Sequence, residues 1–260
     1  MPRLYDELLG PVLFAPFAVE LADRAAALRP RRVLELAAGT GIVTAELVRR
    51  LPGAAVTATD LNEAMVAHGA ARVPGAAWRS ADAQALPFPD GSTDLVVCSF
   101  GAMFFPDRPG AFAECARVLR PDGTLLLSVW DDVAGSPLTA ALVAALAEVL
   151  PDDTPDFVTR VPHGYADPAR LRADLTAGGL RTTGLDRVVL RGRAPSARSV
   201  AEGLCLGSPL RFQLEQRGDL DALTRAAADR MTAALGEGPV EGDLTAFVAT
   251  ATPAAQDAAR

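Results

Sequence analysis

From Arg31 onward, short apolar or β-branched runs alternate with stretches in which apolar positions recur every three or four residues, the pattern of β–α–β units that build a parallel sheet. Residues 33–37 read as the first strand and 42–51 as the following helix, with Val43, Leu47 and Leu51 on one face and Pro52-Gly53 ending it. Residues 55–59 make a second strand, and Asn62 is placed to cap a helix running through Ala71. A short third strand falls at 77–80. The run at 95–99 is apolar without interruption, as expected of a central strand covered on both faces. A helix over 111–119, a turn at Pro121-Asp122-Gly123 and a fifth strand at 124–130 complete the regular part. Asp94 is placed to fix the turn before the fourth strand.

After Trp130 the pattern loosens into a helix over 138–150, a Pro/Asp-rich loop over 151–167, and a helix over 168–177 closed by Gly178-Gly179. Strands follow at 185–190 and 243–250. The roughly fifty residues between them are Ala/Leu/Arg-rich and helical, too long for a plain connection and suited to a cap. The expectation is one α/β domain over 1–260, built on a doubly wound, seven-stranded, mostly parallel sheet with an antiparallel final strand. Lid helices would occupy 1–30, the core 31–130, cap insertions 131–166 and 192–242, and the last strand 243–251.

Half of the 260 residues are apolar, and the 22 glycines and 20 prolines are spread along the chain, a globular composition. The net charge of -7 disfavours nucleic acid as a partner. All 25 basic residues are arginine, so chemistry that needs a lysine is excluded. No long uncharged apolar run offers a membrane span, and Asp6 and Glu7 interrupt any secretion-signal layout, so a cytoplasmic location is expected. Cys98, Cys115 and Cys205 form no CxxC pair, and neither a disulfide frame nor a metal site is expected.

The segment Glu35-Leu36-Ala37-Ala38-Gly39-Thr40-Gly41 joins the first strand to its helix, and its glycines let backbone approach a ligand closely. Nineteen residues past Gly41, Asp60 ends the second strand, where a carboxylate can accept both hydroxyls of a ribose. Asp82, with the amide that follows it, stands after the third strand and suits the amino edge of a purine. The carboxyl ends of parallel strands are where open α/β sheets bind ligands.

On VLELAAGTG (33–41), ATDLN (58–62), DAQALPFPDGSTDLVVCSFGAMFF (82–105) and RVLRPDGTLLLSVW (117–130), the chain resembles the class I S-adenosylmethionine-dependent methyltransferases with their Rossmann-like fold, in the branch called methyltransferase type 11. The resemblance covers about the first 130 residues. It implies S-adenosylmethionine as methyl donor, S-adenosylhomocysteine as product, and a small organic acceptor. Glu35, Ala37, Ala38, Gly39, Thr40 and Gly41 would contact the methionine and ribose portions, and Asp60 the ribose diol. Leu61 and Met65 would lie beside the adenine, Asp82 and Ala83 at its edge, and Ser99 and Phe100 over the sulfonium end, with Tyr5, Gln84 and Met103 as further cofactor contacts. Where the family often has glycine, this chain has Ala37, which implies a backbone there outside glycine-only conformations.

For the acceptor, Phe14, Phe17, Phe104 and Trp130 offer apolar surface and Arg211 a cation for a carboxylate, suiting a small apolar or aromatic molecule bound by a monomer or homodimer. His163 and Tyr165, in one loop, are the candidates for positioning the acceptor or removing its proton, whereas His68 reads as a solvated helix residue. A nicotinamide-dependent oxidoreductase is the main alternative; Gly39-Thr40-Gly41-Ile42-Val43-Thr44 lacks its third glycine and the chain lacks a catalytic lysine. A catalytically silent binder of the same cofactor is the other. A nucleic-acid methyltransferase is disfavoured by charge and by Ser99-Phe100-Gly101-Ala102 where an Asn/Asp-Pro-Pro-aromatic signature would stand.

Overall fold

In the computed structural model the apolar runs become strands, because a strand covered on both faces must be apolar on both. The structure describes residues 4–255; residues 1–3, which begin the N-terminal run read above, and 256–260 lie outside them. β1 (Arg32–Leu36), β2 (Ala55–Asp60), β3 (Ala77–Ser80), β4 (Thr93–Ser99), β5 (Leu119–Trp130), β6 (Leu180–Ala194) and β7 (Val240–Pro253) form one sheet in the order β3-β2-β1-β4-β5-β7-β6. Strands β1 to β5 pair in parallel, and the final strands are antiparallel. The order runs outward from β1 to β3 and then returns to place β4 on the other side of β1. That reversal opens a crevice at the carboxyl ends of β1 and β4, the place where such sheets take ligands.

The helices are α1 (Tyr5–Phe14, wound as a π-helix), α2 (Ala15–Leu28), α3 (Ile42–Arg50), α4 (Glu63–Arg72), α5 (Arg108–Val118), α6 (Pro137–Val149), α7 (Phe157–Arg160), α8 (Pro168–Ala177), α9 (Ala197–Gly207), α10 (Leu210–Glu215) and α11 (Leu220–Leu235). Asn62 caps α4 as expected, its side-chain oxygen accepting from the Ala64 amide at 2.9 Å. Asp107 caps α5, which therefore starts earlier than the apolar pattern indicated.

Two compact units divide the chain. The sheet unit holds Ala18–Val129, Tyr165–Val188 and the described residues from Phe247 on. Its core gathers Leu21, Ala22 and Ala25 of α2, Val43 and Leu47 of α3, and Val33, Val56, Leu95, Val97, Leu126 and Val248 of the strands. The helical unit holds the described residues up to Phe17, Trp130–Gly164 and Val189–Ala246. There α9 packs on α11 and α1, and α11 on α6. The N-terminal helix α1 and almost all of the stretches read as cap insertions fall together in this second unit. Among the described residues no helix is long and apolar enough to cross a membrane.

Three local expectations are corrected. Pro121-Asp122-Gly123 is not a turn between helix and fifth strand but lies inside β5: Thr93 pairs with Leu119 and Leu95 with Thr124, so the turn chemistry is spent on a bulge. β6 and β7 are far longer than the runs at 185–190 and 243–250, since paired strand continues through polar positions that carry no apolar signal. Asp94 does not fix the turn before β4; it lies in β4, and its Oδ2 accepts from the amides of Arg31 and Arg32 at 2.9 and 2.8 Å, fastening the start of β1.

Partial burial pushes the Asp94 carboxyl up, but these two amides and Arg120 outweigh it and hold the group below the ordinary carboxylate range. A depressed carboxyl stabilises the fold above its unfolded pKa and loses that contribution as pH falls through the folded value. Asp94→Ala is expected to cost about 1–2 kcal/mol near neutral pH by urea denaturation, with the difference from the parent shrinking below about pH 4.

Candidate active site

The loop leaving β1 turns over in left-handed backbone. Ala37, Gly39 and Gly41 have φ of 51°, 56° and 84°. Ala37 is therefore in the left-handed region, which favours glycine but is open to other residues. A left-handed alanine costs roughly 1–2 kcal/mol, and the surrounding contacts supply it. The Ala38 amide donates to Thr59 O at 2.9 Å, and the Thr59 hydroxyl donates back to Glu35 O at 2.8 Å. The Gly41 amide closes the turn on Ala38 O at 2.9 Å. From β4, Gly101 lies against the same residue: a Cβ there would stand 2.5 Å from the Ala37 Cβ and 3.0 Å from Cys98 Sγ. The loop is pinned from β2 and β4 at once, while a side chain at Gly39 would enter open space.

Asp60, at the end of β2, completes the arrangement. Its Oδ2 accepts from the Gly39 amide at 2.9 Å and its Oδ1 from the Asn62 amide at 2.8 Å. A carboxylate offers about four acceptor positions, so both oxygens retain capacity for further donors. The loop after β3 is registered on this one, because the Ala81 amide donates to Asp60 O at 3.1 Å. Asp82 on that loop accepts from the Gln84 amide at 2.9 Å and from Gln84 Nε2 at 3.2 Å. Ala83 is buried, Met65 half-buried, and Leu61 is 70% exposed.

Glu35 and Thr40 lie buried beneath the loop. Glu35 Oε2 accepts from the Thr44 hydroxyl at 2.6 Å. Burial pushes its carboxyl up to about 8; the Thr44 hydrogen bond opposes this and the nearby Asp60 charge adds to it. At the end of β4, Ser99 shares a hydrogen bond with Ser128 at 3.2 Å, and Phe100, left-handed at φ 53°, donates its amide to Ser128 O at 3.0 Å. Met103 is buried and Phe104 is 47% exposed in the short turn that follows.

That turn is braced by Arg108, which donates to Ala102 O and Met103 O at 3.2 and 3.0 Å and lies 4.3 Å from the centre of the Tyr165 ring. Tyr165, read as a catalytic candidate, is engaged through both its ring and its hydroxyl. Its hydroxyl donates to Asp174 Oδ2 at 2.7 Å, and burial, with that hydrogen bond, raises the phenol. Asp107 and Arg108 are site-supporting residues that the sequence reading passed over; the Asp two positions before Pro109 is the helix-start signal that marks them.

In the helical unit, three of the four aromatic residues read as acceptor-binding come together, while Phe104 belongs to the sheet unit. Phe17 meets the Trp130 ring edge-on at 5.4 Å, Phe14 lies 6.2 Å from it, and Tyr5, read as a cofactor contact, stacks on Phe14 at 5.0 Å. His163 lies 5.9 Å from Trp130, with Nδ1 held 2.7 Å from Asp131 O. Burial lowers the pKa of this imidazole, against the pull of Asp131 and Asp132. A neutral ring donating through Nδ1 leaves Nε2 as the acceptor. Arg211 is engaged by Glu215 one helical turn on, at 2.6 Å.

An open α/β sheet whose switch-point loop is left-handed, with acids at the ends of β1 and β2, is a nucleotide-cofactor domain of the doubly wound class. A family model described as "Methyltransferase domain" matches residues 34–127, which contain this loop and both acids. The ubiquinone/menaquinone biosynthesis C-methyltransferase UbiE of Dinoroseobacter shibae is 32% identical over 66% of this chain and 71% of its own length. The malonyl-[acyl-carrier protein] O-methyltransferase of Methylococcus capsulatus is 30% identical over 81% of this chain and 73% of its own. Among solved structures, the YcgJ protein from Bacillus subtilis superposes with a TM-score of 0.58 at 21% identity, over 92% of this chain and 99% of that one. The chain belongs to the class I S-adenosylmethionine-dependent methyltransferases, which displaces the nicotinamide alternative.

A buried acid with a raised pKa keeps its proton in the fold after the unfolded chain has lost it, so its contribution to stability is present at low pH and is lost as pH rises from 4.5 to about 8. Glu35→Gln keeps an acceptor for Thr44 and removes the titration. Melting curves across that range should show the variant gaining on the parent as pH rises, by on the order of a few kcal/mol at pH 8. A constant difference at all pH values would contradict the burial argument.

Proposed function

We propose that this methyltransferase binds S-adenosylmethionine along the carboxyl ends of β1, β2 and β3 in its sheet unit and passes the methyl group to a small organic acceptor with an apolar or aromatic body. The observation that carries the reading is Asp60, a carboxylate set by two backbone amides at 2.9 and 2.8 Å with acceptor capacity to spare, beside a loop with open space at Gly39. That geometry fits the two hydroxyls of a ribose. Left-handed backbone at Ala37 and Gly39 suits close approach of the cofactor's methionine portion, and Thr40 and Gly41 lead it onto the N-terminus of α3. Asp82 and the amides beside it face the adenine, and Phe100 and Met103 wall the sulfonium end.

When bound, the sulfonium cofactor supplies an electrophilic methyl group. The chain's own task is then alignment: holding donor and acceptor in line provides roughly 7–11 kcal/mol of catalysis without a covalent intermediate. Phe14, Phe17 and Trp130 offer the apolar surface for the acceptor, and a neutral His163 with Nε2 as acceptor suits a substrate that carries an O–H or N–H. The names of the two relatives place their methyl groups on carbon in one case and oxygen in the other, so the acceptor atom does not carry over from either.

Asp60→Ala removes the acceptor for two hydroxyls and should weaken S-adenosylhomocysteine binding by roughly 10–100-fold in isothermal titration. An affinity within twofold of the parent counts against the assignment. Transfer of labelled methyl from S-adenosylmethionine to a panel of small phenols, quinols and carboxylic acids tests the reaction itself. Turnover confined to a nucleic acid or a protein would refute the small-acceptor reading.

A further inference from the structure

We infer that Gln84 is the positioning residue that makes this site select a 6-amino purine, by orienting Asp82 as an acceptor toward the base; the inference rests on the cofactor reading above. Three contacts define it. The Gln84 amide donates to Asp82 Oδ1 at 2.9 Å, Gln84 Nε2 donates to the same oxygen at 3.2 Å, and Gln84 Oε1 accepts from the Asp107 amide at 2.9 Å. A backbone amide is a donor only, so the Asp107 amide obliges the Gln84 carbonyl oxygen to face it. The amide nitrogen of the side chain is thereby turned toward Asp82, and the usual ambiguity between the two ends of a glutamine is removed.

The consequence for Asp82 is chemical. Its Oδ1 is occupied by two donors, while Oδ2 is 3.5 Å from Nε2, at the outer limit of a hydrogen bond, and keeps its acceptor capacity. An acceptor held in this way favours a ligand donor such as the 6-amino group of adenine and disfavours the carbonyl that replaces it in hypoxanthine. Gln84 thus acts through Asp82 rather than as a cofactor contact of its own. The anchor is also shared: Asp107 caps α5 by accepting from the Gly110 amide at 3.0 Å, and the next residue, Arg108, holds Ala102 O and Met103 O. The first turn of α5 braces the loop after β3 and the turn after β4 together.

The test is isothermal titration of S-adenosylhomocysteine and S-inosylhomocysteine into the full chain and two variants between pH 5 and 6.5, a range in which carboxyl pairs titrate and the buried Glu35 keeps its proton. The parent should prefer the adenine compound by at least ~10-fold, one good hydrogen bond's worth. Gln84→Met, similar in length but unable to make either side-chain bond, should reduce that preference to within about threefold. Gln84→Glu keeps an acceptor for Asp107 and sets a second carboxyl against Asp82, so its affinity for the adenine compound should fall as pH rises while the parent's stays flat. Parental preference retained in folded Gln84→Met overturns the inference and leaves the cofactor reading standing. If Gln84→Met does not fold, a flat pH profile in Gln84→Glu overturns it. Absence of binding by the parent overturns the cofactor reading and this inference with it.

Discussion

The carboxylate of Asp60 joins two loops that leave neighbouring parallel strands, taking the Gly39 amide on one oxygen and the Asn62 amide on the other. Everything proposed for the site depends on that bridge. Parallel pairing of β1 and β2 delivers both loops to the same edge of the sheet, and the hydrogen bond converts proximity into a fixed geometry. The left-handed turn at Ala37 and Gly39 is affordable only because Thr59, Gly101 and Asp60 hold it from either side. Beneath it Glu35 is closed off from water, and that burial raises its carboxyl pKa.

The two units differ in the side chains they carry. The sheet unit carries the acids, the left-handed backbone and the Arg108 brace; the helical unit carries the aromatic side chains and a neutral, oriented imidazole. Tyr165 illustrates how a polar group can be absorbed into structure. Its hydroxyl donates to Asp174 and its ring lies against the guanidinium groups of Arg108 and Arg170, which makes it part of a brace. His163 has the contrary fate, its ring orientation settled by Asp131 O while Nε2 is left as the acceptor.

Much of this was legible in the chain itself where the information is local. The uninterrupted apolar run of β4, the glycine loop after β1, the acid ending β2 and the Asn62 cap each follow from a few consecutive residues, and the structure places them as read. What escaped is non-local. Nothing beside Asp94 in sequence indicates that its partners are the amides of Arg31 and Arg32, and nothing at Ala37 indicates that Gly101 presses on it. Pro121-Asp122-Gly123 has turn chemistry that a strand pair can equally use as a bulge, and only the register with β4 decides between them. β6 continues through Arg and Thr positions because pairing, rather than side-chain character, holds it extended.

A crystal structure of the chain with S-adenosylhomocysteine examines the central claim most directly. The account predicts both ribose hydroxyls within about 3 Å of the Asp60 carboxylate, at ordinary hydrogen-bond distance, with the Gly39 amide still on Oδ2. A product molecule seated away from the carboxyl ends of β1 and β2, or a ribose whose hydroxyls bond elsewhere while Asp60 keeps only its two backbone amides, would contradict it.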